Sequence, residues 1–228
     1  MTDAAHGRRG EARSALIVVM DCEPVPADEI ADWYDTEHIP QRLALPGFVG
    51  AERWQTTDDT RTSVVLYELE SLAVLTSEPY KGVTGANLSP WSRRILGRCR
   101  RRRFEADLTM HLSKPGVQRA EGLLLVAMNV EPAAEDEFDR WYSQEHLPRL
   151  FALPGVLDAR RYRAVSGEQR QIAMYHLAEP DVQSSSAWAT AIDTPWGTRV
   201  RPHTHDRVRY VCRPAITPDF ISPTRRTP

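Results

Sequence analysis

Residues 15–54 read ALIVVMDCEPVPADEIADWYDTEHIPQRLALPGFVGAERW, and residues 123–162 read LLLVAMNVEPAAEDEFDRWYSQEHLPRLFALPGVLDARRY. Aligned without gaps at an offset of 108, they agree at 18 of 40 positions, where unrelated segments would agree at about two or three. The match continues at Tyr67-Glu68-Leu69 against Tyr175-His176-Leu177, and returns three residues out of step at Pro90-Trp91 against Pro195-Trp196. The chain thus reads as two copies of one unit, residues 15–110 and 122–213. A turn-bearing linker (111–121) lies between them. A polar tail (1–14) precedes them and a proline-rich tail (214–228) follows, neither with the pattern of a packed element.

Periodicity gives each copy the same order of elements. Ala15–Met20 and Leu123–Met128 are short apolar runs suited to buried strands. A helix follows, with Asp28 as its expected N-cap. Ile30, Trp33, Tyr34, Glu37 and His38 fall at i, i+3, i+4, i+7 and i+8, and Phe138, Trp141, Tyr142, Glu145 and His146 repeat that face. Pro40 and Pro148 are expected to end or kink the helix, and Pro46-Gly47 and Pro154-Gly155 to stop it. Two strands come next, at about 49–55 and 63–70, and at 157–163 and 170–177. A second helix starts at Ser89-Pro90 and at Thr194-Pro195, and a last strand covers 100–110 and 206–213. This β-α-β-β-α-β order predicts an α+β fold of two tandem ferredoxin-like repeats. Each antiparallel sheet has helices on one face, so two copies can close sheet against sheet as an intrachain barrel.

The sharpest chemical pattern is W-Y-x-x-E-H-x-P, at Trp33 to Pro40 and Trp141 to Pro148. A carboxylate and an imidazole on an otherwise apolar helix face must have polar partners, because burying them bare costs several kcal/mol. They serve either as structural ties or as an acid/base pair, in which His38 or His146 moves a proton and Glu37 or Glu145 orients it. Arg53 and Arg161, at the end of the second strand, could clamp an anionic oxygen or pair with an acidic neighbour. Tyr67, Tyr175 and the tryptophans at 54, 91 and 196, with Tyr162, could line an aromatic pocket or pack as core. His176 replaces Glu68 and enriches the second copy in imidazole.

The pattern W-Y-x-x-E-H-x-P-x-x-x-x-x-P-G, followed by Arg53-Trp54 and Arg161-Tyr162, resembles the EthD-like branch of the dimeric α+β barrel superfamily over both repeats. The resemblance implies a small-molecule enzyme of catabolic or secondary metabolism acting on an aromatic, lactone or polyketide-like substrate. The chemistry implied is cofactor-independent acid/base work of isomerase, cyclase, decarboxylase or monooxygenase type. The alternatives are a non-catalytic metabolite-binding or accessory protein of a degradation pathway, and a haem-dependent enzyme, haem entering through the resemblance alone. The site so implied has His38, His146, Glu37 and Glu145 as catalytic groups. Trp33, Trp141, Tyr34, Tyr142, Arg53, Arg161, Tyr67, Tyr175 and His176 would surround the substrate.

The remaining features exclude more than they assert. A net charge of −2 over 228 residues is not the balance of a nucleic-acid binder. The run Arg98 to Arg103 reads as a solvated strand edge, where charge discourages pairing. No apolar stretch reaches the ~18 residues of a membrane span, and residues 1–14 lack the apolar segment of a secretory signal. Cys22, Cys99 and Cys212 are odd in number and widely spaced, so neither a disulfide framework nor a structural zinc site is expected, and a reducing cytoplasm is. His203-x-His205 has alternate-strand spacing but no accompanying cysteine or carboxylate set, so no metal is expected. The expected partner is a small molecule, with further self-association of the pseudo-dimer left open.

Overall fold

The structure is a computed structural model that describes residues 11–58, 61–116 and 119–215; the outer parts of both expected tails lie outside these. The first half runs β1 (Ser14–Asp21), α1 (Ala27–Trp33), α2 (Ile39–Leu43), β2 (Phe48–Thr56), β3 (Thr62–Leu69), α3 (Glu78–Lys81), α4 (Pro90–Leu96) and β4 (Arg100–Ser113). The second half repeats the order as β5 (Gly122–Val130), α5 (Glu135–Trp141), α6 (Leu147–Phe151), β6 (Val156–Ser166), β7 (Gln171–Leu177), α7 (Ser186–Ile192), α8 (Pro195–Val200) and β8 (Thr204–Pro214). The last strand of the first half runs past the expected residue 110 and takes in the first three residues of the expected linker.

The eight strands form one closed antiparallel barrel in the order β1-β3-β2-β8-β5-β7-β6-β4. Each half supplies four of them, and the halves join edge to edge through the β4–β6 and β2–β8 ladders. Closure gives every strand a neighbour on both sides over at least part of its length. The arginine run lies where β4 is paired on one side only: Arg100 to Arg103 bond to β1, the β6 ladder starts at Glu105, and the run is largely exposed, as a solvated strand edge would be.

Side-chain alternation sorts the apolar residues into three cores. Ala15, Ile17 and Val19 point into the barrel, with Val64, Leu66, Phe104, Leu125 and Met174. Leu16 and Met20, on the opposite face of the same strand, pack under the helices of the first half. Leu124, Val126 and Met128 do the same in the second. Trp54 and Tyr162 belong to the barrel interior, so neither lines a pocket on the helix side.

The first helix departs from expectation in two places. Its N-cap is Pro26 rather than Asp28. It also does not end at Pro40. Residues Tyr34–His38 form one π-helical turn, with the Ile39 N–H bonded to the Tyr34 carbonyl, after which α2 continues to Leu43. Tyr142–His146 repeats this turn, with Leu147 bonded to Tyr142. Proline lacks an N–H and collides with the carbonyl four residues back in an α-helix; the wider turn gives it room. Gly47 follows with φ of 85°, where a Cβ would stand 2.3 Å from Val74. Among the described residues no helix is long and apolar enough to cross a membrane.

One expectation fails outright. Cys22 and Cys99 form a disulfide, with Cα atoms 4.4 Å apart, and only Cys212 is free, buried in the barrel core. The β1–β4 ladder ends at Asp21 opposite Arg100, so the two cysteines are the next cross-strand pair. A separation of 77 residues hid that neighbourhood in the sequence. The bridge also removes the cysteine ground for expecting a reducing compartment.

Candidate active site

The π turn decides what the histidine touches. In a regular α-helix His38 would lie over Tyr34, four residues back; the extra residue instead sets its ring on Trp33, with centroids 4.2 Å apart against 5.8 Å to Tyr34. His146 lies on Trp141 at 4.4 Å, with Tyr142 nearly as close at 4.7 Å. π turns inside helices recur at functional sites.

The glutamates bind elsewhere. Glu37 accepts hydrogen bonds from the Ser89 and Ser92 hydroxyls, at 2.6 and 2.7 Å, and Ser92 in turn accepts from the Trp33 indole. Ser89 also caps α4. Glu145 accepts from the Thr194 hydroxyl, which caps α8, and from the Trp141 indole. Each carboxylate thus ties the first helix of its half to the start of the last one.

A cavity of about 480 Å³ opens in the first half between the sheet and these helices. Of the expected site residues, Trp33, Tyr34, His38 and Tyr67 line it; Leu16, Met20, Leu88 and Leu96 add apolar wall. Sequence reasoning missed Arg42, Tyr80, Arg101 and Arg103, which line it too. One signal was available for Arg42: within the aligned segment the second copy carries Leu150 at that position. Arg101 and Arg103 were hidden in the charge run, of which only these alternate residues line the cavity.

Some polar groups of the lining residues are not satisfied by the protein. The His38 Nδ1 and the Tyr67 hydroxyl are buried and have no hydrogen-bond partner, and the Tyr34 hydroxyl reaches only the Met20 sulfur, at 3.6 Å. Burial, with Arg42 and Arg101 nearby, holds the His38 imidazolium well below its ordinary pKa, so the ring is neutral. Burial pushes the Tyr67 hydroxyl well above the usual phenol range, so it stays a donor.

In the second half the corresponding tyrosines satisfy each other. The Tyr142 and Tyr175 hydroxyls lie 3.1 Å apart and hydrogen-bond. Trp188 meets the Tyr175 ring edge-on at 5.4 Å, from the helical position that Tyr80 holds in the first half, and Phe138 packs where Ile30 stands. Burial, with Arg201 and Arg207, pushes the His146 pKa down to about 3.

Arg53 and Arg161 lie over the Tyr34 and Tyr142 rings, at 5.3 and 5.0 Å, and pair with Asp35 and Asp139. Neither is among the residues lining the cavity. His176 follows Tyr175 on its strand and so faces the other way, into the barrel, where it meets Glu52 at 2.6 Å. His203 and His205 are exposed and take separate carboxylates, Glu131 and Asp206; no cluster able to hold a metal occurs among the described residues.

No protein-family model matches this sequence, and no curated protein does either. Solved structures do match. A candidate monooxygenase from Fusobacterium nucleatum superposes with a TM-score of 0.59 at 13% identity, over 89% of this chain and 93% of that one. An anthrone oxidase-like protein gives 0.63 at 10% identity, over 90% and 92%, and a candidate chlorite dismutase gives 0.57 at 12%, over 90% and 96%. The fold is that of the dimeric α+β barrels. At these identities the likeness speaks for architecture alone. The resemblance read in the sequence brings in haem as an alternative, so the residues of the cavity are set against it. A histidine that binds a metal normally donates its other ring N–H to a carboxylate or carbonyl. His38 has no such partner on Nδ1, and the adjacent Glu37 is engaged by serines. These residues do not fit an axial haem ligand, and no step is derived through one.

Proposed function

We propose that this barrel is a small-molecule enzyme of the EthD-like type, built by tandem duplication, in which the first half holds the working pocket and the second acts as its scaffold. The substrate is an aromatic, lactone or polyketide-like molecule, and the chemistry is acid/base without a cofactor. One observation carries this reading: His38 and Tyr67, whose Nδ1 and hydroxyl are buried and unpartnered, both line a cavity walled largely by aromatic and apolar side chains. Such a pocket with a few convergent polar groups is the common form of a small-molecule site.

The roles follow from protonation state. Neutral His38 can accept a proton from a carbon or hydroxyl next to a substrate carbonyl. Tyr67, held protonated, donates to the oxygen on which negative charge develops, the arrangement that stabilises an enolate. Arg42 and Arg101 add positive charge beside it. A substrate gaining negative charge offsets the two arginines and raises the basicity of His38 during the step. Returning the proton to another atom gives isomerisation or cyclisation. In a decarboxylase variant, loss of CO2 from the substrate itself forms the enolate, which then takes up a proton. In a monooxygenase variant the enolate reduces O2, one oxygen atom entering the substrate as a carbonyl and the other leaving as water. Glu37 keeps the helix seated rather than sharing the proton.

The test is turnover of hydroxylated anthrones and unsaturated lactones, followed by absorbance and oxygen consumption. Replacing His38 by Gln is expected to lower kcat/KM at least ~100-fold, the usual worth of a positioned acid/base group. His146→Gln should leave it within about threefold. Full turnover by a folded His38→Gln protein would sink the reading. Stabilisation by such compounds without turnover would instead assign the cavity to a binding or accessory protein.

A further inference from the structure

Arg42 is 3% exposed, yet its hydrogen bonds go to neutral acceptors, the Gln41 side chain at 2.6 Å and the Val83 carbonyl at 3.2 Å. Among the described residues it has no ion pair. A buried cation without a counter-charge is costly, and chains normally pair or replace it. The second half does replace it, with Leu150, itself 1% exposed. The first half keeps the charge, and keeps it on the wall of a cavity.

The rest of that wall has the same sign. Arg101 and Arg103 reach it from β4, and no Asp or Glu lines it. Arg103 is neutralised by Glu105, at 2.7 Å, while Arg101 has no ion pair among the described residues. Two guanidinium groups without an ion pair, Arg42 buried and Arg101 exposed, therefore border a space lined largely by Trp33, the tyrosine rings and aliphatic side chains. A guanidinium presents paired N–H donors whose spacing matches a carboxylate. Arg42 also lies over the Tyr80 ring, at 5.7 Å, which holds the group beside an aromatic surface.

We infer that the cavity takes a planar aromatic ligand bearing one carboxylate, with Arg42 as its buried counter-ion and Arg101 as a second cation on its wall. This rests on reading the first-half cavity as the working pocket, and it names the substrate class of that pocket. A neutral ring of the same shape would leave Arg42 as it is, desolvated and unpaired. Position 42 thus becomes the specificity-determining difference between the two halves.

Calorimetric titration of the full chain with 2-naphthoate and with 2-naphthamide separates charge from shape. The wild type is expected to bind the acid at least ten times more tightly than the amide. Arg42→Leu, which installs the residue of position 150, should bring the two within about twofold while leaving the melting temperature of the free protein unchanged or higher. Arg42→Gln carries the same expectation should the leucine variant not fold. Equal affinity of the wild type for both probes, no binding of either at millimolar concentration, or a preference that survives loss of Arg42 would each overturn the inference. His38→Gln keeps the two readings apart. It should retain the preference for the acid even though turnover is lost, so carboxylate selectivity without any catalysis would retire the enzyme while leaving the ligand class standing.

Discussion

Tyr67 and Tyr175 lie 108 positions apart and are buried on equivalent strands, yet their hydroxyls have opposite fates. Tyr175 is hydrogen-bonded to Tyr142 and Tyr67 to nothing. Removing one partner of a buried pair strands the other, at a cost of about 1–3 kcal/mol, whereas removing an already unpaired hydroxyl is close to neutral. Tyr175→Phe should therefore lower stability by about 1–3 kcal/mol in urea unfolding, and Tyr67→Phe by less than about 0.5 kcal/mol while still impairing turnover. Equal destabilisation by the two variants would mean that Tyr67 has a structural partner after all. At this scale the sequence was informative where two copies agreed, at Trp33, Tyr34, His38 and Tyr67. It was mute where they differ, because Arg42 against Leu150 becomes meaningful only once one side chain is seen facing a cavity and the other buried in core.

Elements were legible wherever periodicity carried them, and the strands around Tyr67 and Tyr175 fall within a residue or so of their expected limits. What periodicity could not carry is pairing between distant ends. The Cys22–Cys99 bridge is the plainest case, since it exists because β1 and β4 run antiparallel with Asp21 opposite Arg100. It closes a long loop, and disulfides of that kind contribute typically about 2–4 kcal/mol, chiefly by restricting the unfolded chain. Cys99→Ser is expected to lower stability by that amount in guanidinium unfolding under oxidising conditions, and dithiothreitol should shift the wild type to the same midpoint. A wild-type transition indifferent to reductant would show that the bond contributes nothing in solution. The π turn belongs to the same class of hidden feature. Proline announced a disturbance at position 40, but only the tertiary context that holds Ile39 and His38 in place turned a helix end into a widened turn.

At the scale of the whole molecule, two salt bridges cross the barrel interior between the halves: Glu52 on β2 to His176 on β7 at 2.6 Å, and Glu68 on β3 to Arg160 on β6 at 2.8 Å. The offset of 108 maps Glu52 onto Arg160 and Glu68 onto His176. One half is thus acidic at both positions and the other basic. Two copies of the first half would set glutamate against glutamate, so the pairs favour closure of unlike halves. Burial alone would lower the His176 pKa, but Glu52 and Asp158 outweigh it and raise it to about 9. Burial alone would raise that of Glu52, but His176 and Arg160 hold it down at about 2. The signs then set the window. His176 titrates near 6.5 when unfolded, so its contribution is complete below that pH and is lost as pH rises through about 9. Glu52 titrates near 4.5 when unfolded, so its contribution is complete above that and is lost as pH falls through about 2. Stability from this pair should be flat between roughly pH 4.5 and 6.5 and fall on both sides. Breaking a buried pair by removing one member costs about 3–5 kcal/mol. His176→Gln should show such a loss at pH 6 and a much shallower decline between pH 7 and 9, read from denaturation midpoints across that range. Glu52→Gln combined with His176→Gln should cost less than the two single changes added together, because the double variant leaves no member of this pair uncompensated. An alkaline decline in His176→Gln as steep as in the wild type would place the titrating group elsewhere, and strict additivity would deny that the two side chains act as one bridge between the halves.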